Sequence, residues 1–269
     1  SGFISEYISD KFKIPFLITE HNSGFHRGIY DFLLPEILRI CNKSSLCLAV
    51  SSNLALLLNK KIKNSSSWQT HNNLVSKSFF EEKLKETKEK NFTFISVGNL
   101  IKEKNFSLLL KSFKNFNEIF PNSKLKIVGS GNQLNTLIKI SKNLNIFSNV
   151  SFMGTLSRNE VIHEIKNSSV SVSSSNYETF GIFSAESLSL GKVVISTANM
   201  GCYDILNEKV GMIVQVNNES ELTNAMISVF KNYKNYDSKK IRKYAYNKFS
   251  DDIITKKLIS NYNKILLNN

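Results

Sequence analysis

Short apolar runs separated by amphipathic stretches repeat from one end of this chain to the other, and that alternation restricts the fold more than any other feature. Apolar runs fall at residues 14–19, 46–50, 92–97, 124–128, 150–153, 170–173, 193–196 and 211–214, with a further short strand expected near Trp68. Their length reads as strands, and residues 14–19 as a buried one. Helical patterns lie between them, at residues 29–40 and 52–61 and again where Phe106, Leu109, Leu110, Phe113 and Phe116 recur at helical spacing. Leu134, Leu137, Ile138 and Leu144 form another such stripe, residues 218–233 and 250–267 two more, and the chain opens on a helix. Ser157 and Glu160 have the spacing of a capping box, in which each side chain bonds the other's backbone N–H. Strand followed by helix, repeated, means an α/β fold with parallel sheets covered by helices.

The alternation breaks at residues 80–90, a charge-dense stretch expected to be a surface helix or linker. The unit after it, about 140 residues, has enough strands for a complete doubly wound domain; the one before it shows two or three. The 269 residues, 41% of them hydrophobic, suffice for one large domain or two small ones. No apolar run approaches ~18 residues, so no transmembrane helix is expected, and no secretory signal opens the chain. Cys41, Cys47 and Cys202 lack metal-ligand spacing and leave one thiol over in any disulfide scheme, which fits a cytoplasmic compartment and core-filling thiols.

The formal charge is +13, and over half of it sits at one end. Residues 231–269 carry 10 basic and 3 acidic side chains, whereas residues 91–230 carry 12 and 10. A nearly neutral centre is not how a nucleic-acid-binding core is charged, and no nucleic-acid partner is expected. The terminal excess fits solvated helices, or a surface that meets acidic lipid head groups or another domain.

Doubly wound domains bind ligands where loops leave the carboxyl ends of strands. Gly98, Asn99 and Lys104 follow one strand and precede a helix; a glycine permits close backbone approach, and a lysine there suits an anion. Gly129-Ser-Gly131 follows the next, although G-x-G is also a common structural turn. The most specific stretch runs from Ser173 to Glu186. Glu178 lies in a loop, the N–H groups around Phe180–Phe183 open a helix, and Glu186 falls in its second turn. A helix N-terminus carries roughly half a positive charge and unpaired donors, which favour phosphate. Two carboxylates beside an anion site are tolerable if they hydrogen-bond hydroxyls, the pattern of a sugar nucleotide. One loop acid and one solvated helix acid would have the same spacing.

Residues 91–230 resemble the donor-binding domain of family 4 glycosyltransferases, which have the GT-B fold of two facing Rossmann-like domains. The matching pieces are VGNLIKEKNFSLLLKSF, LKIVGSGNQLNTL, VSFMGTL, VSSSNYETFGIFSAESLSLGKVVIST and GMIVQVNNESELTNAM, in family order and spacing. IPFLITEHNSGF and LAVSSNLALLL resemble the second half of the family's N-terminal domain. The resemblance implies residues 1–88 as a partial, acceptor-side Rossmann-like domain lacking its first part, residues 89–235 as the donor-binding domain, and residues 236–269 as helices packing back toward the N-terminal domain. A truncated, inactive nucleotide-sugar-binding fragment is the alternative.

By the same resemblance, Glu178 and Glu186 match the family's two acids: Glu178 would bind donor-sugar hydroxyls and Glu186 the ribose. Lys104 would neutralise the diphosphate, with Phe180, Gly181 and Ile182 offering backbone N–H groups. Met153, Gly154, Thr155 and Leu156 would line the base, and His21 would reach the reacting sugar from the opposite domain. Lys104, Glu178 and His21 are the candidate catalytic residues. Asn99 stands where the family often has an arginine. The implied reaction is retaining transfer from a nucleotide-diphosphate sugar to a saccharide or lipid-linked acceptor. No cofactor and no obligatory metal are expected, since no D-x-D motif is present. The expected location is the cytoplasm, with peripheral contact at the inner membrane face and a role in polysaccharide, lipopolysaccharide or glycolipid synthesis.

Overall fold

The computed structural model describes residues 2–84 and 92–267. Its strands form two sheets, both wholly parallel. β1 (Leu17–Glu20), β2 (Leu46–Ala49) and β3 (Gln69–Thr70) make a three-stranded sheet in that order. The other six strands are β4 (Thr93–Val97), β5 (Lys124–Val128), β6 (Val150–Phe152), β7 (Val170–Ser173), β8 (Val193–Thr197) and β9 (Gly211–Val214). They lie in the order β6-β5-β4-β7-β8-β9. The order reverses between β4 and β7, so the loops leaving these two strands diverge and open a crevice at their carboxyl ends.

Burial explains the strand sequences. β7 and β8 are covered along their whole length and read VSVS and VVIST, with no charged residue. Helix α5 (Phe106–Ile119) lays Phe113 and Phe116 on the sheet, and α10 (Glu219–Lys231) packs beside it. Phe94 of β4 meets Phe116 edge-on at 4.9 Å between ring centres, and Phe116 meets Phe230 of α10 at 5.6 Å. Such tilted and edge-on contacts add to the area term in holding an aromatic core. Ser157 and Glu160 form the expected capping box at the start of α7 (Arg158–Lys166).

Several element bounds differ from the sequence reading for local reasons. The helix expected over residues 29–40 is α2 (Leu34–Lys43), preceded by a 3-10 turn at Asp31–Leu33. Pro35 has no N–H to give and fits only a helix's first turn, so it fixes the start. The first strand begins at Leu17, after Pro15, and the helix expected from residue 1 is α1 (Gly2–Phe12). The surface helix or linker expected over residues 80–90 falls mainly outside the described residues; α4 (Lys77–Glu81) ends as it begins. α6 (Leu134–Asn143) covers its apolar stripe, α9 (Cys202–Ile205) matches no pattern named from the sequence, and two helices occupy the described part of residues 236–269. α11 (Ser238–Phe249) is so charged that only Ile241, Ala245 and Phe249 are buried, one per turn.

α11 packs on α8 (Ile182–Ser189) of the six-stranded unit. Arg242 Nε donates to the Ser189 carbonyl at 2.9 Å, and Lys248 Nζ to the Asp204 carbonyl at 2.8 Å. α11 also touches residues before 88, where Arg242 Nη1 donates to the Glu82 carbonyl at 2.6 Å and Phe80 meets Tyr246 edge-on, and at the junction with α12 (Asp251–Leu267) Val75 N–H donates to the Phe249 carbonyl at 2.7 Å. The two sheets are also joined at α3 (Ser52–Ile62), whose first residue donates both N–H and Oγ to the Asp204 carboxylate, at 2.6 and 2.7 Å.

Candidate active site

Three loops meet at the crevice between the sheets. The first leaves β4 and carries Gly98, Asn99 and Lys104. Its close path over the sheet depends on glycines in the neighbouring turn. A Cβ on Gly129 would stand 2.0 Å from the Gly98 carbonyl oxygen, and Gly129 has a φ of +132°. Gly129 N–H in turn donates to the Gly154 carbonyl at 2.8 Å, so the exits of β4, β5 and β6 form one stacked shelf. Lys104 ends a 3-10 turn (Lys102–Lys104), immediately before α5.

The second loop leaves β7. It is stitched to the first by backbone contacts that set Lys104 in place. Ser174 Oγ donates to the Lys104 carbonyl at 2.9 Å, and Asn176 N–H donates to the Glu103 carbonyl at 2.8 Å. Lys104 Nζ forms an ion pair with Glu178 Oε1, which also accepts from Ser175 Oγ at 2.9 Å. The Glu178 main chain is fixed from behind: Gly201 N–H donates to its carbonyl at 2.9 Å. Gly201 comes so near that a Cβ would meet the Phe180 carbonyl oxygen at 2.0 Å. Phe180 itself is buried edge-on against Phe249, so only its backbone faces the site.

Gly181, at φ +93°, turns the chain into α8. A non-glycine residue would be strained there. No side chain caps α8, which leaves its first N–H groups and the positive end of its dipole available to an anion. Glu186, one turn in, makes no side-chain hydrogen bond among the described residues. Burial pushes its carboxyl up to about 7, with the Arg158 charge acting in the opposite sense. A carboxylate held without partners costs free energy until a hydroxyl satisfies it.

The third loop comes from the other sheet. Glu20, at the end of β1, accepts from the N–H groups of His21 and Asn22 at 2.9 and 2.6 Å. That arrangement turns the chain so that His21, Asn22 and Arg27 face Lys104 and Glu178 across a cleft of about 340 Å³. Thr179 Oγ1 donates to the His21 carbonyl at 3.0 Å, spanning the cleft mouth. His71, which follows β3, lies near enough to His21 to feel its charge. Its imidazole is held below its ordinary value, chiefly by burial and further by Lys257 and His21. A position directly after a two-residue strand carries no local signal of that proximity.

The structure therefore brings His21, Lys104 and Glu178 to one cleft and sets the N-terminus of α8 beside them. Met153, Gly154, Thr155 and Leu156 do not line that cleft. They leave β6, two strands away from β4, where Thr155 Oγ1 donates to Ser130 Oγ at 3.0 Å. Asn99 is exposed at the exit of β4. A phosphate-bearing ligand reaching from α8 past Lys104 would run along the carboxyl edge of the sheet.

The family model for glycosyl transferases group 1 matches residues 78–248. The chain belongs to that family. Among its relatives, an uncharacterized glycosyltransferase of Methanocaldococcus jannaschii, MJ1059, is 37% identical over 106 residues, which are 39% of this chain and 26% of that protein. The alpha-monoglucosyldiacylglycerol synthase of Streptococcus pneumoniae is 30% identical over 135 residues, 48% of this chain and 31% of that one. The chain spans less than two thirds of the length of the curated relatives it matches. Anabaena Alr3699/HepE, solved in complex with UDP, superposes with a TM-score of 0.87 at 14% identity, over 98% of this chain and 76% of that one. This group 1 glycosyl transferase thus has the GT-B fold of two units with parallel sheets. Among the described residues, no helix is long and apolar enough to cross a membrane.

Proposed function

We propose that this chain binds a nucleotide-diphosphate sugar in the crevice between β4 and β7 and transfers the sugar, with retention, to a hydroxyl of a saccharide or lipid-linked acceptor. The observation that carries the reading is the Lys104–Glu178 ion pair facing His21 across one cleft, beside the uncapped start of α8. Departure of the nucleotide develops negative charge on the diphosphate. Lys104 and the α8 N–H groups stabilise that charge in the transition state more than in the ground state. Glu178 holds hydroxyls of the donor sugar and Glu186 those of the ribose, while residues 153–156 receive the base. His21 contacts the reacting sugar from the three-stranded unit. The departing phosphate accepts the acceptor's proton, so the scheme uses no protein nucleophile and no metal.

Membership of the glycosyl transferases group 1 family, the GT-B likeness to a UDP-bound structure, and a relative named for glycolipid synthesis support the donor class and an acceptor in glycolipid, lipopolysaccharide or polysaccharide assembly. The basic helices near the C-terminus suit contact with an acidic membrane face, the inner one of the cell. The test is turnover with a panel of nucleotide-diphosphate sugars and saccharide or glycolipid acceptors in the presence of a chelator. NMR of the product reads the anomeric centre. The same anomeric configuration in donor and product is expected; inversion, or turnover only with added metal, contradicts the mechanism.

A further inference from the structure

A single ammonium leaves most of a diphosphate's charge unmet, and the β4 loop offers the cleft only one. Position 99 is a neutral asparagine, and Lys102 faces a separate depression beside Gln133 and Leu137. The cleft nonetheless holds a second permanent cation, and it comes from the opposite unit. Arg27 lines the cleft with Lys104 and Glu178, its Nη1 lying 3.4 Å from Glu103 Oε1. Both partners are about half exposed, at 47% and 44%. Such a pair is worth little by itself and is readily exchanged for a better partner.

The guanidinium is delivered by a fixed backbone. The neighbouring His26 ring stacks on Tyr177 with centres 3.9 Å apart and planes 18° apart. Thr179 ties down the His21 carbonyl on the other side of the loop. Glu103 is equally fixed, since its carbonyl accepts the Asn176 N–H. The cleft therefore contains two cation–carboxylate pairs, Lys104–Glu178 and Arg27–Glu103, each with its carboxylate on the six-stranded unit.

We propose that Arg27 is a second diphosphate-binding residue, supplied across the cleft, and that Glu103 is the counter-ion a phosphate displaces. The inference rests on the nucleotide-sugar reading above. A planar guanidinium offers two parallel N–H donors that match two phosphate oxygens, a fixed fork that a lysine's point charge lacks. Binding then draws the two units together, because the cations that share the diphosphate belong to different sheets.

Calorimetric titration tests this with UDP, GDP, ADP and dTDP, with the matching nucleosides, and with inorganic pyrophosphate as a probe that needs no base. The proteins are wild type, Arg27→Gln, Arg27→Lys, Glu103→Gln and Lys104→Ala. Arg27→Gln is expected to weaken the diphosphates and pyrophosphate by about tenfold or more, to leave nucleoside affinity unchanged, and to be restored only in part by Arg27→Lys. Glu103→Gln is expected to tighten them. If Lys104→Ala weakens the diphosphates while Arg27→Gln does not, the role of Arg27 is overturned and the nucleotide-sugar reading stands. An equal loss for nucleosides and diphosphates in Arg27→Gln overturns it too. If wild type binds none of these probes, the reading beneath it fails as well.

Discussion

Lys104, from the loop after β4, and Glu178, from the loop after β7, form an ion pair across the point where the strand order of the sheet reverses. The pair fills with its own charges the place where a diphosphate and a sugar would lie. On the proposed function, the donor separates them, taking the ammonium for phosphate and the carboxylate for hydroxyls. Glu178→Ala should therefore remove transfer while sparing nucleotide affinity within a few-fold. Titration of the nucleoside diphosphate and a turnover assay on the same preparation check it. A parallel loss of both would assign Glu178 to the nucleotide.

Gly201 is expected to be intolerant of a side chain although its backbone angles are ordinary. A Cβ there would stand 2.0 Å from the Phe180 carbonyl oxygen, and the Gly201 N–H holds the Glu178 carbonyl. Gly201→Ala should lower stability by about 1–3 kcal/mol and reduce turnover further than the stability loss explains. Urea unfolding, with activity measured well below the midpoint, separates the two effects.

Glu186 gives the protein a pH dependence of definite sign. Burial raises its carboxyl to about 7, so its ionisation opposes folding. The penalty is absent below its unfolded value, grows as pH rises toward 7, and is fully present above that. Glu186→Gln should therefore be more stable than wild type at pH 8, by on the order of 3 kcal/mol, and equal to it near pH 4. Thermal melts across that range read the difference; a constant offset at all pH values would contradict the assignment.

Asp204 places a carboxylate at the first turn of α3, accepting from Ser52 N–H and Oγ across the two units. An anion at a helix N-terminus is favoured by the dipole and by the unpaired donors. Asp204→Ala should cost about 1 kcal/mol. Backbone amide exchange near Ser52 should rise while that in β4 and β7 is unchanged.

Much of this was legible from residue order, because parallel strands buried on both faces leave short, uncharged, mostly apolar runs such as TFISV of β4 and VVIST of β8. The loops carrying Lys104 and Glu178 were placed by their position after such runs. α11 was legible only through the family resemblance and not through periodicity: a helix burying Ile241, Ala245 and Phe249 alone shows too narrow an apolar stripe among its lysines. Its place against α8 accounts for part of the basic excess near the C-terminus. The contacts across the cleft, His26 on Tyr177 and Arg27 by Glu103, join residues far apart in sequence through tertiary packing. No local pattern encodes them. Residues 153–156 were expected in the site, yet the cleft around Lys104 does not include them, since β5 intervenes between their strand and β4.

The most direct test of the central claim is calorimetric titration of nucleoside diphosphates into wild type, Lys104→Ala and Glu186→Ala. The account predicts saturable binding of at least one nucleoside diphosphate to wild type, weakened at least tenfold in each variant with the fold intact by circular dichroism. Equal affinity in all three proteins, or no binding to wild type, would contradict it.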